Sequence, residues 1–308
     1  MRLRRMAAAL APALLALPAL AQDADELEMP APPALAAAPE GAVGGMGDIN
    51  LYPRRVVMAD RSRTASVGVY NRTINAGEYE ISIVDMVMAS DGSVHQLDNL
   101  PPGVSVERLA SASAMLRWSP RRVVLQGNEA QTVRIMARPP ADLPDGEYRA
   151  HFMAVSIPAD VDQGFSIEEA VSGGSGGPSN IGVTIRPRFG IAIPVIMRVG
   201  ETTLEVGLTD LGLVQTADGP AISATITRSG TRSAFGDIVV TVPGSDVPVA
   251  MARGIGIYPE IDARPVLLAL NPAFDRALLR PGTRLTLTYT DDDFAPGTVL
   301  ARQEFTVP

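Results

Sequence analysis

The segment from Ile181 to Val199 limits most sharply what this chain can become. Its odd positions read Ile181, Val183, Ile185, Pro187, Phe189, Ile191, Ile193, Val195, Met197 and Val199, all large and apolar except the first proline. Its even positions read Gly182, Thr184, Arg186, Arg188, Gly190, Ala192, Pro194, Ile196 and Arg198. A period of two sorts side chains onto the two faces of a strand; wound as a helix, the same residues would scatter around the circumference. At about 3.3 Å per residue the strand reaches roughly 60 Å, more than a small sandwich spans, so part of it is expected to project along or beyond its own domain. Pro187 and Pro194 each remove a ladder donor, which suits an edge strand. An apolar edge is ordinarily an aggregation hazard. Standing directly after Gly173-Gly174-Ser175-Gly176-Gly177-Pro178, it points to pairing with another chain. The alternative is a long internal strand of the core.

The rest of the chain from Leu51 is short runs rich in Val, Ile, Thr and Tyr between Gly, Pro, Asn and Asp clusters, the pattern of an all-β sandwich or barrel. Strands are expected over 55–58, 65–71, 79–88, 123–125, 130–136 and 148–157, then over 221–228, 237–242, 254–258, 266–270, 284–290 and 299–307. Pro53-Arg54-Arg55-Val56-Val57-Met58 recurs as Pro120-Arg121-Arg122-Val123-Val124-Leu125. The echo is too short for a solenoid repeat, and two similar corners in one sandwich account for it. Residues 158–180 read as a long flexible loop. The sole tryptophan, Trp118, is placed in the core beside the Pro120 corner.

The chain opens with Arg2, Arg4 and Arg5, an apolar run from Met6 to Leu20, and Ala19-Leu20-Ala21 before Gln22. This is the layout of a cleavable secretory signal over 1–21, and the run is shorter than the ~20 residues that span a bilayer. Residues 22–47, rich in Ala and Pro, are expected to be a disordered leader. No integral membrane segment is expected in the mature chain. A chain of 308 residues exceeds what one core normally supports, so two domains are expected, 48–200 and 201–308.

Composition removes several kinds of chemistry. There are no cysteines, hence no disulfides, thiol nucleophile or thiolate metal site. Acidic residues number 34 against 26 basic ones, three of the latter in the signal, so a nucleic-acid partner is not expected. His95 and His151 fall in separate elements and read as ordinary surface or core histidines. Asp291-Asp292-Asp293 lacks the glycine and distal glutamate of a calcium loop. Ser175 lacks the strand-to-helix elbow of a nucleophile, and Asn71-Arg72-Thr73 reads as a turn. No arrangement of nucleophile, base and oxyanion donor is visible, so neither catalysis nor a cofactor is expected.

The ordered series Pro120-Arg121-Arg122-Val123-Val124-Leu125, Gln131-Thr132-Val133-Arg134-Ile135, Leu143-Pro144-Asp145-Gly146-Glu147-Tyr148-Arg149 and Ile157-Pro158 resembles the first domain of the PapD-like periplasmic pilus chaperones. The resemblance covers about residues 48–308. It implies two immunoglobulin-like β-sandwich domains at an angle, with 181–199 as a donor strand. On that resemblance Ile181, Val183, Ile185, Phe189, Ile191, Ile193 and Val195 lend side chains to a pilus subunit that lacks its final strand. An outer-membrane usher is a further expected partner, and the periplasm the expected compartment. In the family an arginine at the start of the first strand and a lysine late in the donor strand bind the subunit's terminal carboxylate. Arg55 matches the arginine; Pro194 stands where the lysine belongs, leaving Arg186 and Arg188 as substitutes. A buried acid–arginine–acid network between the domains maps to Glu147, Arg198 and Asp292, the last chosen from the Asp291–Asp293 run. The competing reading is a structural or adhesive surface protein of tandem Ig-like domains that self-associates through the same strand.

Overall fold

Where apolar and polar residues alternate, the chain forms strands that bury the apolar set. In β9 (Arg122–Leu125) Val123 and Leu125 point inward and Arg122 and Val124 outward; in β10 (Ala130–Ala137) the inward row is Val133, Ile135 and Ala137. A computed structural model describes residues 42–44, 49–59, 62–158 and 188–308. The expected signal, nearly all of the leader, the Gly-rich stretch and Ile181–Pro187 of the alternating row lie outside these residues. The regular elements among the described residues are strands apart from two short 3-10 turns, and no helix among them is long and apolar enough to cross a membrane.

The first sandwich is built from two five-stranded sheets. One runs in the order β1 (Val43–Gly44), β2 (Ile49–Tyr52), β4 (Thr64–Asn71), β10 and β8 (Leu116–Ser119). The other runs β3 (Val56–Met58), β12 (Gly190–Val199), β11 (Gly146–Ile157), β5 (Gly77–Val84) and β9. Between them lies one core that includes Leu51, Leu116, Leu125, Ile135, Phe152 and Ile193. A small hairpin, β6 (Met86–Met88) with β7 (Val94–Gln96), leaves the end of β5. The two echoed Pro-Arg-Arg segments do the same job: each carries the chain from the first sheet to the second, β2 to β3 through Pro53 and β8 to β9 through Pro120, and both X-Pro bonds are cis. Trp118 packs half-buried against the core, donates from Nε1 to the Ile81 carbonyl at 3.0 Å and carries Arg121 on its ring. Tyr148 donates its hydroxyl to the Pro144 carbonyl four residues upstream at 2.9 Å, the tyrosine corner of immunoglobulin-like sandwiches.

The second sandwich packs a three-stranded sheet, β13 (Leu204–Thr216), β14 (Gly219–Gly230) and β17 (Ala263–Ala269), on a four-stranded one. The latter runs β16 (Ala250–Ile257), β15 (Ala234–Thr241), β18 (Arg284–Asp291) and β19 (Val299–Thr306). Its core is separate and includes Ile222, Ile226, Ile238, Leu285, Leu287 and Tyr289.

Two sequence expectations change. The leader is not structureless up to residue 47, because Val43 and Gly44 pair with Leu51 and Asn50 and Val43 packs on the first core. β13 goes unread in the sequence because its register shifts between Thr209 and Gly212, where Asp210 takes a positive φ of 53°, so no single alternation runs its length. Asn71 ends β4 and braces the turn that follows: its side chain is buried and its Nδ2 donates to the Asn75 and Gln126 carbonyls at 2.7 and 3.1 Å.

Candidate functional site

Strand β12 has two faces and two unlike ends. Its odd row, Ile191, Ile193, Val195 and Met197, is buried in the first core. Ile191, Ile193 and Val195 were expected to be lent to a partner; they are held by their own domain, because the odd face of β12 looks into the sandwich. Phe189, just before the strand, is 42% exposed. Ile181, Val183 and Ile185 lie outside the described residues.

The edges of β12 differ along its length. On one side β11 pairs with all of it, from Val199 opposite Gly146 to Gly190 opposite Val155. On the other, β3 pairs in parallel with Val195–Met197 only. Among the described residues nothing pairs with that edge over 190–194. This stretch includes Pro194, whose missing donor a partly open edge tolerates.

The even row of β12 faces outward and passes from exposed Gly190 through half-buried Ala192 and Pro194 to buried Ile196 and Arg198. Ile196 joins Met88, Phe235 and Tyr258 in a third apolar cluster that belongs to both sandwiches. The signal for it was in the sequence: Ile196 is the one large aliphatic residue among the even positions.

Around that cluster lies a dense ionic joint. Arg198 reaches Glu147 of β11 at 3.1 Å from Nε and Asp293 of the second domain from Nη2. Glu147 Oε1 also accepts from the backbone N–H of Ser233 at 3.2 Å and from its hydroxyl. Burial works against the Arg198 charge, but Glu147 and Asp293 outweigh it and hold the guanidinium above its ordinary range. The expected acid–arginine–acid arrangement thus runs through Asp293 where Asp292 was named. Asp292 goes to Arg55, with Nη2 to Oδ1 at 2.5 Å and to the Asp292 carbonyl at 2.6 Å, while Arg54 Nη2 is 3.1 Å from Oδ2. Asp291 caps its own turn, accepting from the N–H groups of Asp293, Phe294 and Ala295. Adjacent aspartates point differently because the chain turns sharply at the end of β18.

Arg55 and Arg188 cannot serve one carboxylate. Val56 lies beside Val195, and Arg188 precedes Val195 by seven residues, on the order of 20 Å along an extended chain. Arg188 instead pairs with Glu80 at 3.1 Å on an exposed surface. Arg55 is 12% exposed, engaged by Asp292, 3.5 Å from Asp293 and stacked 4.6 Å from the Phe235 ring centre, so it ties the domains together in this state. Arg186 lies outside the described residues.

A second buried pair, missed in the sequence, is Arg149 with Glu260 at 2.6 Å, both 2% exposed. The Arg149 guanidinium stands 3.7 Å over the Tyr258 ring. Neighbouring His151 is buried, its Nδ1 has no partner, and its ring is 6.1 Å from that of Tyr258. Burial, reinforced by the Arg149 charge, pulls its pKa down to about 3. Burial pushes the Tyr258 phenol up to about 12. These positions looked like plain strand residues because their partners come from another domain. Among the described residues no group of three or more His, Asp or Glu side chains is placed to hold a metal.

No family model matches the chain, and no curated protein matches it. Among solved structures it is similar to the YadV chaperone, with 12% identity over 85% of this chain and 100% of that one and a TM-score of 0.40. It is similar also to the E. coli chaperone DraB, at 13% over 84% and 96% with a TM-score of 0.41. The Salmonella enterica SafB chaperone, solved with the SafA pilin, gives 13% over 86% and 99% with a TM-score of 0.38. Scores this low decide nothing about partners, which have to be read from the chain's own residues.

Proposed function

We propose that this chain is a periplasmic chaperone of the PapD-like type, which holds pilus subunits by strand complementation and hands them on to an outer-membrane usher. The observation that carries the reading is the edge of β12 left unpaired over 190–194. It continues directly from the alternating row Ile181, Val183, Ile185 and Phe189. An unpaired row of N–H and C=O groups is a template for another strand, and the apolar row ahead of it supplies side chains for a core lacking them.

In this reading the lent residues are those before Gly190, while Ile191, Ile193 and Val195 anchor the strand in its own domain. The two sandwiches, tied by the Glu147–Arg198–Asp293 and Arg55–Asp292 contacts, form the rigid body that presents the edge. A subunit carboxylate reaching Arg55 would compete with Asp292 for it. The client's own folding drives the process, and no bond is made or broken.

The test is to purify the exported protein from the periplasm of its host and identify what elutes with it by mass spectrometry. The expected result is a small β-rich subunit in stoichiometric amount, absent when Ile185 and Phe189 are both changed to Asp. Elution alone, or as a growing self-polymer, would overturn the proposal, the latter in favour of a surface fibre component.

A further inference from the structure

Beside the unpaired edge of β12, on the outer face of the same sheet, lies a hollow with an apolar floor. Met153 and Val155 of β11 form the floor, the small residues Gly190 and Ala192 of β12 leave the side toward the open edge low, Met86 of the hairpin forms the far wall, and Gln96 and Arg188 complete the lining. The hollow depends on the small residues: a Cβ at Gly190 would stand 3.2 Å from Val155 Cγ2. The hairpin is fixed at several points. Val94 and Met88 join the cluster shared with the second domain, the Arg149 guanidinium donates to the Met86 carbonyl at 3.4 Å, and Gln96 Nε2 lies 3.5 Å from Met153 Sδ.

A strand laid along the open edge places alternate side chains on the two faces of the sheet. Those on the outer face, opposite Gly190 and Ala192, lean over residues too small to meet them and toward the methionines. We infer that this hollow is a receiving site for one large apolar side chain of the strand that pairs with β12, so that recognition runs in both directions across the edge. The inference rests on the chaperone reading only in taking an extended polypeptide as the occupant. Two methionines and a valine make a surface that adapts to Leu, Ile, Met or Phe.

The probe is a pair of blocked peptides of alternating threonine and valine whose central outer-face residue is Leu or Ala. They are titrated against the full chain by fluorescence anisotropy. The leucine peptide is expected to bind about tenfold more tightly than the alanine peptide, as burial of the larger side chain requires. Ala192→Leu fills the hollow and is expected to erase the leucine preference, read as the ratio of the leucine to the alanine peptide's affinity. Met153→Ser, checked for an unchanged thermal midpoint, is expected to reduce the same preference. Equal binding of leucine and alanine peptides to the wild-type chain overturns the receiving site and leaves the edge reading intact. Failure of every peptide to bind overturns both.

Discussion

The two halves of β12 share one alternation and meet different surroundings. From Val195 to Met197 the strand has β11 on one side and β3 on the other, its odd row is core, and its even row enters the domain joint. From Gly190 to Pro194 it has β11 alone, and just ahead of it Phe189 stands exposed. The contrast shows that an apolar row of period two reports a buried face without saying whose core buries it. The short β3 decides where the change comes, because its pairing with β12 begins only at Val195.

The sharpest way to break this comparison is to place a charge on each side of Gly190. Ile193→Asp puts a carboxylate where the native side chain is fully buried, and is expected to cost about 4 kcal/mol or more and to unfold the first sandwich in urea titration. If the first sandwich kept its stability, Ile193 would not be core and the boundary at Gly190 between anchored and lent residues would be wrong.

Next in size is the joint. Arg198→Met leaves the Glu147 and Asp293 carboxylates buried without their cation, and is expected to cost roughly 3–5 kcal/mol. Scanning calorimetry should show the two sandwiches melting separately where the native chain melts together. A single unchanged transition would mean that the network does not couple them.

His151 gives the joint a dependence on pH. Facing it are Arg149, Tyr258 and, through Arg149, Glu260. Its folded pKa of about 3 lies below the ordinary 6.5, so the unfolded chain takes up a proton that the folded one refuses. The contribution is complete above pH 6.5 and is lost as the pH falls toward 3, amounting to roughly 3 kcal/mol by pH 4. His151→Phe should flatten that part of the stability profile measured by denaturant titration between pH 7 and pH 4. An unaltered slope would place the acid sensitivity elsewhere.

The smallest expected effect on stability sits just ahead of the open half. Phe189→Asp should change the unfolding free energy by no more than about 0.5 kcal/mol, as exposed positions usually do, while weakening capture of a subunit. A large loss of stability would show Phe189 to be part of the fold after all.

Most strands were legible because their inward rows are local patterns. β9, β10 and β18 bury every second residue, and the Pro53 and Pro120 echoes marked the two sheet-crossing corners. β13 was not legible, since a bulge near Asp210 interrupts its period. The site was half-readable. Glu147 and Arg198 were named through the resemblance and do meet, but the choice among three consecutive aspartates depended on a turn that no local pattern specifies. Arg149, His151 and Glu260 gave no signal at all, because 111 residues separate Arg149 from its acid.

Alternation, turn residues and the absence of cysteine are properties of neighbours along the chain, and by themselves they determined that this protein folds as β-sandwiches held by apolar burial. Which row of β12 is core, which aspartate meets which arginine, and where an edge remains open were decided only by the tertiary structure. Those outcomes depend on where β3 ends and how the second sandwich docks, and both are set by contacts between residues remote in sequence.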